Sequence, residues 1–360
     1  MKREAVAAFI SFFVTLALVP LVRRFCQRGH ILDKPGPLKI HTQPIPRLGG
    51  VAIFFGLLAG LLASDARDYA AHWQFFAAIL IIWAAGLIDD WRGLSAASRL
   101  GVQVLCAVFL WQGSWHIPLS VNAPMQIGLL CLFVILFANS FNFLDGADGL
   151  ATGVSCVIFL SYLAMPPSSL TPLGFSTALC ITVACLAFLV FNWHPASIFL
   201  GDSGSTLLGF LAAFVSLDFA NTTGSGYSFT LAFAIAALPI FDALRVIIKR
   251  LARRASPTFG DRQHFYDALL AAGWRPARVA VASWIIVAFC GVIAISIMRL
   301  HASIAWSLIA FFLVATFVYV ATTIRGKNSR VASGASEKYS FCEIFVSARN
   351  RAEPSPRDEL

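Results

Sequence analysis

Long apolar stretches alternate with short polar ones along most of the chain. The apolar runs fall at residues 5–22, 48–64, 73–88, 100–115, 125–141, 150–165, 173–191, 204–220, 228–248, 279–298 and 302–324. A helix needs about 20 such residues to cross about 30 Å of hydrocarbon. The pattern predicts an all-α, polytopic membrane protein with about eleven transmembrane helices. Residues 1–324 form one membrane-embedded domain in this reading, and 325–360 a polar, disordered tail. Within that tail only KYSFCEIF has the weak amphipathic spacing of a membrane-surface segment.

Composition agrees. Hydrophobic residues make up 58% of the 360-residue chain, charged residues only 12%, and the mean hydropathy is +0.77. Soluble domains carry about 25% charge, so a soluble fold is excluded. The first apolar run has no small-residue cleavage site and leads into arginines, so a cleaved signal peptide is not expected. None of the eight cysteines is paired in a CxxC, and most sit inside apolar runs, which reads as membrane-core packing.

Charge adds orientation. Alternate connections hold Arg23, Arg24, Arg28, Lys34, Lys39 and Arg47, then Arg92 and Arg99, then Lys249 through Arg278. The opposite connections hold only Lys2, Arg3, Arg67 and Arg299. The positive-inside rule places the N-terminus outside and the C-terminus in the cytoplasm. This asymmetry accounts for most of the net charge of +9, so no nucleic-acid partner is implied.

Four polar strings then converge on the cytoplasmic side: LIDDWRG (87–93), NSFNFLDGADGL (139–150), FLGDSGS (199–205) and GDRQHF (260–265). They hold Asp89, Asp90, Asp145, Asp148, Asp202 and Asp261, against only 18 acidic residues in all. Acids beside a bilayer are costly to bury and mark function by default. Asp89 and Asp90 suit proton or cation work, or form a solvated helix-end pair. Asn139, Asn142, Asp145 and Asp148 recur every three residues, and Gly146 and Gly149 suggest a broken or re-entrant segment. Oxygen-only ligands favour Mg²⁺ or Mn²⁺ over zinc. Asp202, among glycines at the start of a helix, suits a phosphate-bridging cation and also reads as a plain helix cap. Arg262 and His264 stand in a basic loop suited to an anionic substrate.

With the motifs HTQPIPRLGG (41–50), LIDDWRG, NSFNFLDGADGLA (139–151), FNWHPASIFLGDSGS (191–205) and SPTFGDRQHF (256–265), the chain resembles the polyprenyl-phosphate N-acetylhexosamine-1-phosphate transferases. These are multi-pass enzymes that start lipid-linked polysaccharides such as O-antigen. The resemblance implies an eleven-span protein of the bacterial inner membrane whose active site faces the cytoplasm. It implies Mg²⁺-dependent transfer of a sugar-1-phosphate from a UDP-sugar to undecaprenyl phosphate, with release of UMP. Carried over by motif, Asp89 and Asp90 match the aspartates near the lipid phosphate, and Asn142 and Asp202 match groups near the cation. Asp145, Asp148, Asn192 and Phe199 match the nucleotide site, where Phe199 offers a face for uracil, with His41 and Arg47 as further candidates.

One departure concerns the sugar. Members that transfer N-acetylglucosamine read His-x-His-His where this chain has His264, Phe265, Tyr266 and Asp267. The resemblance places this loop near the sugar. The expected donor is a UDP-N-acetylhexosamine, specifically a 6-deoxy form (N-acetylfucosamine or N-acetylquinovosamine), with UDP-N-acetylglucosamine the plainer alternative. The expected partners are undecaprenyl phosphate, that donor and the lipid bilayer, with a homodimer as the candidate assembly. The competing class is a cation- or proton-coupled transporter, which would place acids near the midplane. Here the acids gather at one set of helix ends.

Overall fold

The computed structural model describes residues 2–36, 39, 41–64, 71–224, 226–252 and 264–299. The eleventh expected span (302–324), the tail (325–360), Asp261 and Arg262 lie outside the described residues. What is described belongs to the first of two compact units, Met1–Ser307.

Twelve α-helices follow one another among the described residues: α1 (Lys2–Arg28), α2 (Gly49–Ala63), α3 (Trp73–Arg92), α4 (Ala96–Gln112), α5 (Ala123–Leu144), α6 (Leu150–Leu163), α7 (Pro172–Asn192), α8 (Asp202–Thr223), α9 (Gly226–Ile235), α10 (Ala237–Ala252), α11 (Phe265–Ala271) and α12 (Pro276–Arg299). Their starts obey local chemistry. Ser95, Asn122 and Thr171 each cap the helix that follows by accepting a backbone N–H at 3.0–3.1 Å. The only sheet described is a two-residue antiparallel pair, β1 (Leu32–Asp33) with β2 (Ile45–Pro46), an addition to the all-helical expectation.

Six helices (α1, α3, α5, α7, α8 and α12) are long and apolar enough to cross a membrane. The protein is a multi-pass membrane protein. The expected ninth span, 228–248, is instead two helices bent by 76° around Ala236. Pro239 explains the break: it has no N–H to offer the Ile235 carbonyl, and its ring crowds that group. Three further apolar helices, α2, α4 and α6, are shorter than a full crossing at 15, 17 and 14 residues. The string 139–150 divides, because Asn139 and Asn142 continue α5 as helix and only 145–149 form a turn.

Helix α8 is the axle of the bundle. Every residue from Ser203 to Ala220 is buried, and α2, α3, α5, α6, α7 and α9 pack around it. A helix apolar all round belongs inside a bundle. Small residues set how close the neighbours come: a methyl on Gly86 would lie 2.5 Å from the Ser203 Cα, and one on Gly209 would lie 2.6 Å from the Phe137 carbonyl. Such close backbone approach is how helices gain packing where no water drives them together. It brings the ends of α3 and α5 against the start of α8, where the carboxylates lie.

Candidate active site

A pocket of 680 Å³ opens at the end of the bundle where α8 begins. Its walls come from the end of α3, the end of α5 and its turn, the α7–α8 loop, and the segment around β2. The α7–α8 loop is stitched to β2 and α2 by backbone bonds: Phe199 N–H donates to the Pro46 carbonyl at 2.7 Å. In return, the Gly49 and Gly50 N–H groups donate to the Phe199 and Leu200 carbonyls at 2.9 and 2.8 Å. Phe199 is thus fixed on both sides of its backbone, with its ring edge-on to His41 at 5.1 Å.

Helix α8 starts without a cap of its own. Gly201 precedes it at φ 76°, and a Cβ there would overlap the Arg47 carbonyl and the Asp90 carboxylate. Asp90, from the last turn of α3, supplies the cap from outside. Its Oδ1 accepts the N–H of Asp202 at 2.8 Å and its Oδ2 that of Ser203 at 3.0 Å. The Arg47 guanidinium donates to the Asp90 carbonyl. Asn142 donates from its amide to Asp202 Oδ1 and to Ser205 Oγ, the latter at 3.0 Å. Asp145 follows at the end of α5. Burial, and then the carboxylates of Asp202 and Asp90, push its carboxyl well above the usual range.

The neighbouring polar residues are more occupied. Asp148 Oδ2 is 2.7 Å from His194 Nδ1 and accepts the Ala196 N–H at 3.1 Å. Asn192 is 3% exposed. Its carbonyl oxygen accepts from the Gly149 N–H and Thr152 hydroxyl at 3.2 and 3.0 Å, and its amide donates to the Ile198 carbonyl at 3.0 Å. His41 has Nε2 2.8 Å from Asp33 Oδ2, and Lys39 pairs with the other oxygen of Asp33.

Nine of the residues expected from sequence therefore line one pocket: His41, Arg47, Asp90, Asn142, Asp145, Asp148, Asn192, Phe199 and Asp202. Two expected residues do not. Asp89 is not on the wall: it accepts the Leu94 N–H at 2.7 Å and pairs with Arg99 at 3.4 Å, because adjacent residues on a helix diverge, yet it stays close enough for its charge to act on Asp202. His264 is buried against Asp242, with Nδ1 2.6 Å from Oδ2, and does not line the pocket. Asp267 likewise accepts the His264 N–H at 3.2 Å as part of a helix cap. Among the described residues, no three His, Cys, Asp or Glu side chains are grouped to hold a metal ion unaided.

Residues 72–220 match the glycosyl transferase family 4 profile. A Bacillus subtilis (strain 168) protein named as a probable undecaprenyl-phosphate N-acetylglucosaminyl 1-phosphate transferase is 29% identical over 337 residues, covering 91% of this chain and 93% of that protein. A decaprenyl-phosphate N-acetylglucosaminephosphotransferase of Mycolicibacterium smegmatis (strain ATCC 700084 / mc(2)155) is 31% identical over 329 residues, covering 79% of each chain. The chain belongs to the polyprenyl-phosphate N-acetylhexosamine-1-phosphate transferases. An Escherichia coli (strain K12) undecaprenyl-phosphate alpha-N-acetylglucosaminyl 1-phosphate transferase is also 27% identical, over 86% of this chain and 88% of its own.

Within this transferase the structure adds residues that were not singled out from the sequence. Asp33 joins the pocket wall through Lys39 and His41, and its signal was a lone acid in a cationic loop. His194 joins through Asp148. Asp242, which anchors His264, was visible as a carboxylate inside the apolar stretch LPIFDALRVII.

Proposed function

We propose that this transferase moves an N-acetylhexosamine-1-phosphate from a UDP-sugar to undecaprenyl phosphate, releasing UMP and starting a lipid-linked polysaccharide. The observation that carries the reading is the meeting of Asp202, Asn142 and Asp145 with Phe199 in one pocket at the end of a membrane bundle. A phosphate oxygen of the lipid attacks the donor phosphorus that bears the sugar. The new O–P bond forms as the bond to the bridging oxygen breaks, and UMP leaves with that oxygen. A phosphate monoester is mostly dianionic at neutral pH, with a second pKa of about 6, so the attack needs no strong protein base. The work left to the protein is to position the two anions and neutralise charge.

Mg²⁺ fits the donor set and Mn²⁺ could replace it. The crowding that raises Asp145 is relieved by a cation, and Mg²⁺ is commonly held by one or two carboxylates, waters and substrate phosphates. Asp202 and Asn142 would hold it, and it would neutralise developing charge on the phosphates. Phe199 presents a face to the uracil. Arg47 places positive charge in the wall, and Asp90 acts through α8 by fixing Asp202. The site faces the cytoplasm of the inner membrane, where the basic connections lie and nucleotide sugars are available.

The test uses full-length protein purified in detergent, with undecaprenyl phosphate, Mg²⁺ and a panel of UDP-sugars: N-acetylglucosamine, N-acetylfucosamine and N-acetylquinovosamine. UMP release together with a lipid-linked product supports the reading. No release with any donor overturns it. Preference for a 6-deoxy donor is the expectation the His264–Asp267 string raised from sequence; with that string off the pocket wall it would reach the sugar only indirectly, and preference for UDP-N-acetylglucosamine defeats that part alone.

A further inference from the structure

The turn that carries Asp145 is held by a wedge outside the pocket. Tyr266, the second residue of α11, is 6% exposed. Its hydroxyl donates to the Phe143 carbonyl at 3.3 Å, one of the carbonyls left open at the end of α5. Its ring lies so close to Gly146 that a Cβ at that position would overlap the phenol, with even the Cε2 atom only 2.7 Å away. Gly146 does not use the left-handed backbone region that Gly149 uses, so backbone geometry would admit alanine there. The absence of a side chain at 146 therefore serves the tyrosine.

The wedge has its own anchor. The Tyr266 ring stacks on His264, with centroids 5.2 Å apart and planes at 4°. Both oxygens of Asp242 on α10 are engaged with the start of α11. One lies 2.6 Å from His264 Nδ1, and the other accepts the Phe265 N–H at 2.7 Å. One line of contacts thus runs from α10, the second half of the broken span, through α11 to the residue next to Asp145.

We propose that Tyr266 is a positioning residue that sets the Asp145–Asp148 turn through Gly146, and so tunes donor binding without touching the donor. The donor part rests on the function proposed above. The experiment is a double-mutant cycle on Gly146→Ala and Tyr266→Ala in the full-length protein. It reads KM and kcat for the UDP-sugar, the Kd for UMP by calorimetry, and the thermal midpoint. Each single variant should weaken UMP and raise the donor KM by about tenfold, a coupling ordinary for residues in contact. Tyr266→Ala should also lower the thermal midpoint, because it empties a buried site. The deciding readout is therefore a raised donor KM and weakened UMP binding in the folded protein at little-changed kcat, a split that a merely structural role would not produce. In the double variant the Gly146→Ala effect should vanish, because the space it invades is empty.

Additive effects would overturn the proposal, as would wild-type UMP binding in Tyr266→Ala. Should Tyr266→Ala not fold, Tyr266→Phe replaces it, and Gly146→Ala must then cost less beside phenylalanine than beside tyrosine. Coupled UMP binding in a protein that transfers no sugar would defeat the proposed function and leave the wedge standing. Active protein with an additive cycle does the reverse.

Discussion

Asp90 holds Asp202 by its backbone: a carboxylate on α3 accepts the first N–H of α8 at 2.8 Å and, with its other oxygen, the next at 3.0 Å. The motif read as an acid pair thus contributes one helix cap delivered from another helix. Asp90→Ala should leave two buried N–H groups open and lower stability by about 1–2 kcal/mol, the scale of a lost N-cap. Turnover should fall with it, since Asp202 loses its support. Thermal unfolding in detergent and an initial-rate assay check both. Lost turnover at unchanged stability would instead give Asp90 a direct role toward the acceptor.

The reach and the limit of the sequence are visible in these two aspartates. Asp89 and Asp90 are equal as letters, and only the helix phase separates them, turning one to α8 and the other to Arg99. The apolar runs located the helices, because length and hydropathy are what a bilayer selects. They missed the break at Ala236, although Pro239 stood in the run, because hydropathy alone is blind to a missing N–H. The pocket was legible wherever a motif carried an unusual polar residue, as at Asn142, Asp145 and Asp202. Tyr266 and Gly146 each stood out in the sequence, but their meeting was illegible because it depends on how α11 docks.

Asp202 and Asn142 are the expected cation pair. Asp202→Asn keeps the size and one acceptor oxygen but removes the charge, so turnover should fall by about a thousandfold or more, as when charge stabilisation is lost in phosphoryl transfer. EDTA should abolish wild-type activity, and added Mg²⁺ should restore it. Activity that survives EDTA, or a fully active Asp202→Asn enzyme, would rule out the cation.

Phe199 and His41 meet edge to face at 5.1 Å on the pocket wall. Phe199→Ala should weaken UMP binding by about 10- to 100-fold, in line with about 1–3 kcal/mol for a base stacked on an aromatic ring. His41→Ala should weaken it less, because its loss only frees the ring. Calorimetry with UMP measures both. An unchanged Kd in Phe199→Ala would move the uracil elsewhere.

Asn192 is expected to matter through folding. All three of its hydrogen bonds join α6, α7 and the α7–α8 loop inside the protein. Asn192→Ala strands buried partners, at a cost of about 1–3 kcal/mol for each group left unpaired. The thermal midpoint should drop clearly. A variant that unfolds like the wild type yet no longer binds UMP would restore Asn192 to the nucleotide.

Asp145 gives the pH test. Its carboxyl is held well above the usual range by burial and by the Asp202 and Asp90 carboxylates. In the unfolded chain the same group titrates near 3.9, about the ordinary aspartate value. Between those two pKa values the folded state binds the extra proton, so stability falls as pH rises through the window. The penalty is absent below the unfolded pKa and complete above the folded one. Asp145→Asn removes the charge and therefore escapes the penalty. In EDTA at pH 8 the variant should melt at a higher temperature than the wild type, and the gap should shrink as the pH is lowered toward 5. Mg²⁺ should also shrink the gap at pH 8 by neutralising the cluster in the wild type, while the variant loses turnover. A wild type that melts above Asp145→Asn in EDTA at pH 8 would mean that the crowding of these carboxylates does not strain the fold.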